Sequence, residues 1–187
     1  MRYKEILPGV RITSDRCLVL KEGPTVVLGD LHLGYERALE QEGMYIPRIN
    51  TDSIRDALND ILCRYEPERV VLLGDVKHDF KRAGFEEKRE VRRIIGLLSE
   101  AAETVVIKGN HDNYIQNIIS DLGILAVDNI DIMGYRLEHG HDLVLDKECV
   151  MAPALKSSDF ASAEIYGVTD MGLMDLGTLR DLSEVTL

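Results

Sequence analysis

RVVLLGD (69–75) is an apolar run that stops on glycine and then a carboxylate, and the chain repeats the pattern as TVVLGD (25–30) and TVVIKGN (104–110). Unbroken Val, Leu and Ile predict a strand buried on both faces, and the Gly-Asp or Gly-Asn ending predicts a loop beyond it. Between the runs the apolar spacing turns helical. Ile54, Leu58, Ile61, Leu62 and Tyr65 share one face, with Thr51 or Asp52 as cap and Pro67 past the end. Val91, Ile94, Ile95 and Leu98 share another. Strands alternating with helices predict right-handed crossovers and a parallel or mostly parallel sheet with helices on its faces. Ligands of such sheets gather beyond the carboxyl ends of the strands, where the three turns would converge.

Past residue 123 the texture changes to short β-like runs (ILAV, YRLEHGH, LVL, ECVM, EIYGV, GLMDLG), and Tyr114 to Leu122 is the last helical stretch. The final third is expected to form strands and hairpins. At 187 residues and 45% hydrophobic content, one domain over 1–187 is expected. No run approaches the ~18 apolar residues of a membrane helix, and MRYKEILPGV has no basic segment leading into an apolar one. A cytoplasmic protein without a membrane partner is expected. Cys17, Cys63 and Cys149 are odd in number and form no CxxC pair, so they are expected to be reduced core residues. A net charge of -11 argues against an autonomous nucleic-acid-binding domain, which needs a basic face. Carboxylates gathered around metal ions would soften that repulsion locally.

The chemistry sits at the strand ends. Asp30 and His32, one residue apart, point to the same side of an extended loop and can grip one cation. Alone, an Asp-Leu-His triplet is usually an ordinary loop. It gains weight because Asp75 and Asn110 hold equivalent places after two other strands, and because His111 and Asp112 follow Asn110 directly. Asp112 has two readings, orienting the His111 imidazole or capping a helix near Asn113. His78, three residues past Asp75, reads as a satisfied loop histidine or as a support behind the metal ligands, and Lys77 as solvated surface or a contact for substrate phosphate. KRAGFEEKREVRR (81–93) holds six basic residues, but Glu86 with Arg89 and Glu90 with Arg93 make an ordinary charged helix face the stronger reading.

DLHLG (30–34), GDVKH (74–78), GNHD (109–112) and HGH (139–141) resemble the signature blocks of the calcineurin-like metallophosphoesterase superfamily. The longer DLHLGYE and GDVKHDF blocks are similar to an archaeal and bacterial branch related to double-strand-break-repair nucleases. The resemblance implies a four-layer α/β/β/α sandwich of mixed sheets, with two divalent metal ions at the strand carboxyl ends. Manganese is the expected metal, with Fe, Zn or Ni as alternatives. Asp30 and His32 would hold the first ion, Asp75 would bridge, and Asn110 and His139 would serve the second. His141 would join the ligands or hydrogen-bond among them. His111 would stand beside the phosphate at the leaving oxygen, with Asn110 also facing substrate. The implied activity is phosphodiester hydrolysis of a nucleotide or nucleic acid through a metal-bound hydroxide. Mixed oxygen and imidazole ligands independently suit first-row metals, which two-metal phosphoesterases use.

One block of the superfamily is missing. Its late GHxH motif supplies an imidazole to each metal, yet no histidine follows His141, and ECVMAPALKSS stands where it belongs. Either the protein lacks these ligands, or a segment is missing between Ala152 and Pro153; the family register on both sides favours the latter. The alternative function is a catalytically impaired scaffold that binds a protein partner. A homodimer formed by exposed carboxyl-terminal strands, or a partner that supplies DNA binding, is also expected.

Overall fold

The structure, a computed structural model, describes residues 3–41, 43–44, 50–79, 84–140, 150–151, 164–169 and 172–178. Four strands open the chain: β1 (Tyr3–Leu7), β2 (Val10–Thr13), β3 (Leu18–Leu20) and β4 (Thr25–Leu28). They meander antiparallel, because their connections are too short for a crossover. Gly9 turns the first hairpin at φ 76°, where a Cβ would also sit 2.6 Å from the Met133 side chain. Helices α1 (Tyr35–Gln41) and α2 (Asn50–Tyr65) lead to β5 (Arg69–Leu73). Then come α3 (Phe85–Ala101), β6 (Glu103–Ile107), α4 (Ile115–Ile119) with a 3-10 turn at Ser120–Leu122, and β7 (Ala126–Val127). The seven strands form one sheet in chain order, and β4 to β7 pair in parallel as the apolar runs predict.

A second sheet holds β8 (Asn129–Ile132), β9 (Tyr135–Glu138) and β10 (Val150–Met151), with β9 central. A hairpin of β11 (Glu164–Thr169) and β12 (Gly172–Thr178) follows. The three predicted strands are sorted face by face. Val26, Leu28, Val70, Leu72 and Val106 pack against Leu58, Ile61, Val91, Ile94, Ile95 and Leu98 of the helices. Their alternate neighbours Val27, Val71, Leu73 and Ile107 pack against Ile132 and Leu137 of the second sheet. Each fully buried Val or Leu contributes about 1.5–3 kcal/mol, so covering both faces explains why these runs never alternate with polar residues.

The fold is the expected mixed α/β class, with helix, sheet and sheet layers built by described residues. The sheet is less parallel than the strand–helix alternation implies, because β1 to β3 extend it as an antiparallel edge. Helix α2 begins at Asn50, so Thr51 and Asp52 lie in its first turn rather than at its cap. Cys17 is buried as expected, whereas Cys63 is exposed on the outer face of α2; Cys149 lies outside the described residues. Residues 152–163, with the proposed break between Ala152 and Pro153, also lie outside them. Among the described residues no helix is long and apolar enough to cross a membrane.

Candidate metal centre

Parallel register brings the three turns together. Leu28 pairs with Leu72 and Leu73 with Ile107, so Asp30, Asp75 and Asn110 leave the sheet at nearly one level. The first loop then runs alongside the second. Asp30 N–H donates to Gly74 O (3.1 Å), His32 N–H to Asp75 O (2.9 Å), and Leu33 N–H to Val76 O (2.9 Å). Holding that course puts Asp30, His32 and Asp75 at φ 54°, 43° and 50°, in the left-handed region that L-residues avoid. Such conformations cost on the order of 1–3 kcal/mol each and cluster at functional sites, where the surrounding bonds enforce them.

Two groups of metal-capable side chains result. Asp30, Asp75 and His139 offer ligand atoms all within 4.8 Å of one another, and so do His32, His78 and His111. Asp75 joins the two groups. Its Oδ2 lies 3.5 Å from His139 Nε2, 3.8 Å from His32 Nε2 and 3.9 Å from His111 Nε2. His139 Nε2 also lies 3.3 Å from Asp30 Oδ1. The residues fit a divalent ion by donor chemistry, carboxylate oxygens mixed with imidazoles. They also fit by need, since the buried Nδ1 atoms of His32 and His78 have no hydrogen-bond partner.

Close approach is built into the backbone. A Cβ on Gly74, which sits at φ +80°, would lie 2.3 Å from His139 Cδ2. One on Gly109 would lie 2.2 Å from Asp75 Oδ1. Glycine is therefore required where the second and third loops turn. His139 reaches this cluster from the end of β9 in the second sheet, buried between the layers. Burial works against charge on His139, but the Asp30 hydrogen bond and the Asp75 charge outweigh it and raise its pKa.

His111 is fixed at several points. Its N–H donates to Asp75 Oδ1 (3.0 Å), and its Nδ1 pairs with His78 O. A carbonyl only accepts, so Nδ1 carries the hydrogen and Nε2 is the nitrogen turned towards Asp75. His78 belongs to the cluster after all. Its ring stacks on His111 with centroids 5.4 Å apart, and Tyr35 meets its edge at 4.7 Å. Burial lowers the pKa of His78, and the neighbouring His32 and His111 push the same way.

Asp112 takes neither anticipated role. Its buried carboxylate accepts N–H groups of Val76 (3.0 Å), Lys77 (3.2 Å) and Gly109 (2.9 Å), tying the second and third loops together. The N-cap of α4 is Tyr114, and no side chain caps it. Burial raises the Asp112 pKa against those three bonds. Asn110 is half-buried between Gly109 and His111. Lys77 is fully buried, not solvated, and its ammonium donates to Asp79 O and His111 O. Glu87, from the segment read as a charged surface, is buried and accepts Asp79 N–H at 3.0 Å. Glu86 and Arg89 do pair on the surface. His141 lies outside the described residues.

Comparison with known proteins gives a family and a fold. The chain matches the calcineurin-like phosphoesterase family over residues 23–167, a span that includes every residue of the centre. In three dimensions it is similar to the nuclease MPE of Pseudomonas putida, with a TM-score of 0.60 and 19% sequence identity. That match covers 76% of this chain and 66% of the nuclease, so the chain spans about two thirds of its length. At this identity the likeness is one of fold. None of the curated proteins compared matches the chain.

Proposed function

This chain belongs to the calcineurin-like phosphoesterase family, and from that premise we propose that it is a phosphodiesterase for nucleotides or nucleic acid, of the nuclease-related branch, using two manganese ions. The observation that carries the reading is Asp75, whose Oδ2 faces His32, His111 and His139 at once. Asp30, His32, Asp75, Asn110, His139 and His141 would hold the ions. When bound, such ions polarise the phosphoryl oxygens and neutralise the charge that develops on them. The protein's own part is positioning and proton transfer. His111, its Nδ1–H held by the His78 carbonyl, would act as the imidazolium, giving its Nε2 proton to the leaving oxygen and ending as the neutral Nδ1–H ring. Asn110 and His111 together contact the phosphate.

The net charge of -11 favours a small nucleotide, or a DNA substrate brought by a partner protein or a second copy of the chain in the cytoplasm. The test is turnover of cyclic nucleotides, bis(4-nitrophenyl) phosphate, simple monoesters and single-stranded DNA with Mn2+. Diester cleavage that exceeds monoester cleavage supports the reading, and monoester-only turnover refutes it. A second reading is favoured by one observation, that the five histidines end at His141 and leave the ligand set short. On that reading the chain is an impaired scaffold for a protein partner. A stable fold without metal uptake would support the scaffold and exclude the enzyme.

A further inference from the structure

We propose that Lys77 is a positioning residue whose ammonium sets the orientation of the His111 ring at the leaving group. The proposal rests on the phosphodiesterase reading above. Its basis is a group that the reading leaves without a role, a fully buried lysine two residues past Asp75. A buried ammonium is costly unless its hydrogens find acceptors. The lysine is explained by what it donates to.

Its Nζ bonds the carbonyl oxygens of Asp79 and His111. Those two carbonyls flank one functional contact. Asp79 follows His78, whose own carbonyl holds the His111 ring nitrogen. Lys77 thus ties down the backbone on both sides of the His78–His111 pair. The second loop is pinned from two further sides. Glu87 accepts Asp79 N–H at 3.0 Å, and His78 N–H donates to Leu33 O at 3.0 Å. Glu87 lies close over Gly34, where an added Cβ would be 3.0 Å from its Cγ. Without the ammonium both carbonyls lose this donor, and the backbone on either side of the His78–His111 contact loses the tie that spans it.

The experiment compares the full-length chain with Lys77→Met on two diesters in Mn2+. Bis(4-nitrophenyl) phosphate has a leaving group that departs without a proton, whereas a dinucleotide releases a sugar hydroxyl that needs one. Proton transfer by a positioned side chain is worth roughly 10²–10⁴-fold. The expected result is a kcat loss on the dinucleotide of about 10²-fold with KM little changed, and a loss below about 5-fold on the 4-nitrophenyl ester. Combined with His111→Ala, Lys77→Met should add almost nothing. Equal losses on both substrates, or a full additional loss on His111→Ala, would overturn the proposal.

A second readout needs no turnover. In metal-free protein the His111 Nδ1–H proton should be protected from exchange by NMR, and Lys77→Met should abolish that protection while the backbone spectrum elsewhere stays folded. Protection retained in the variant contradicts the proposal. If wild type cleaves no diester, the phosphodiesterase reading fails, yet the NMR comparison still decides whether Lys77 holds the ring. Should Lys77→Met not fold, Lys77→Leu, which is shorter and also has no donor, takes the same two tests with the same opposing outcomes.

Discussion

Replacing Asp112 by Ala and by Asn separates a carboxylate that braces two loops from one that takes part in proton transfer. Its oxygens accept three N–H groups, from Val76, Lys77 and Gly109, at 2.9 to 3.2 Å. Alanine strands all three in a buried space, and at about 1–3 kcal/mol each the gross penalty is about 3–9 kcal/mol. Two effects reduce it. Burial already disfavours the Asp112 charge, as its raised pKa shows, so removal recovers desolvation, and the space vacated by the carboxyl can admit water. A net loss of about 3–5 kcal/mol is expected, a large share of the ~5–15 kcal/mol typical of a domain. Asparagine keeps one oxygen for Val76 and Lys77 and turns an amide N–H2 towards Gly109, so it should cost about 1–3 kcal/mol. Urea unfolding followed by circular dichroism, with unchanged m-value, measures both. Both variants within about 0.5 kcal/mol of wild type would refute the bracing role, and so would an Asn variant as unstable as Ala.

Gly74→Ala and Gly109→Ala would place a Cβ at 2.3 and 2.2 Å from His139 and Asp75, so each should weaken Mn2+ binding at least about 10-fold by calorimetry. Gly96→Ala, in helix α3 with nothing within 4 Å, should leave binding intact and add about 0.5–1 kcal/mol of stability. Among the described cysteines, a thiol reagent at pH 8 should label exposed Cys63 quickly and spare buried Cys17, whose pKa burial raises to about 11, until the protein unfolds; mass spectrometry reads the order. Asp15 accepts the Tyr65 hydroxyl at 2.6 Å and the Arg64 guanidinium at 2.7 Å, which outweigh its burial and lower its pKa. A lowered carboxyl pKa adds stability above the unfolded value of ~3.9 and loses it as pH falls through the folded value. The difference between wild type and Asp15→Ala, about 1–2 kcal/mol at pH 7, should therefore shrink as pH falls below the unfolded value of ~3.9, and a constant difference would refute the pairing.

The strands and helices that build the core were readable because burial on both faces leaves an unbroken apolar run, and burial of one helix face leaves a 3.6-residue period. Val70 to Leu73 and Val91 to Leu98 show both. Strands β1 to β3 were not, because edge strands such as YKEIL carry charge on an exposed face and lack length. Helix α1, YERALEQ, is too short for a period to declare itself. At the site, type and spacing singled out Asp30, His32 and Asp75, and the HGH block singled out His139, but the reading of Asp30 and His32 as one cation's pair from an extended loop did not foresee that left-handed backbone sets Asp30 beside His139 and His32 beside His78 and His111. His78, Lys77 and Glu87 were misread for one reason. Ionisable side chains usually face water, and only the tertiary structure shows that a lysine finds buried carbonyls or that an imidazole joins a cluster. Asp112 was noticed, but its partners lie on backbone 3 to 36 residues away, which no local pattern encodes.

Asp75 joins the two groups of metal-capable side chains at the strand ends. The most direct measurement is metal content of gel-filtered full-length protein and its Asp75→Asn variant after Mn2+ loading, alongside turnover of bis(4-nitrophenyl) phosphate. Two ions per wild-type chain, with metal and turnover both largely lost in a folded Asp75→Asn, is the predicted result. A variant that binds metal and turns over like wild type, or a folded wild-type protein that takes up no metal, would contradict the claim.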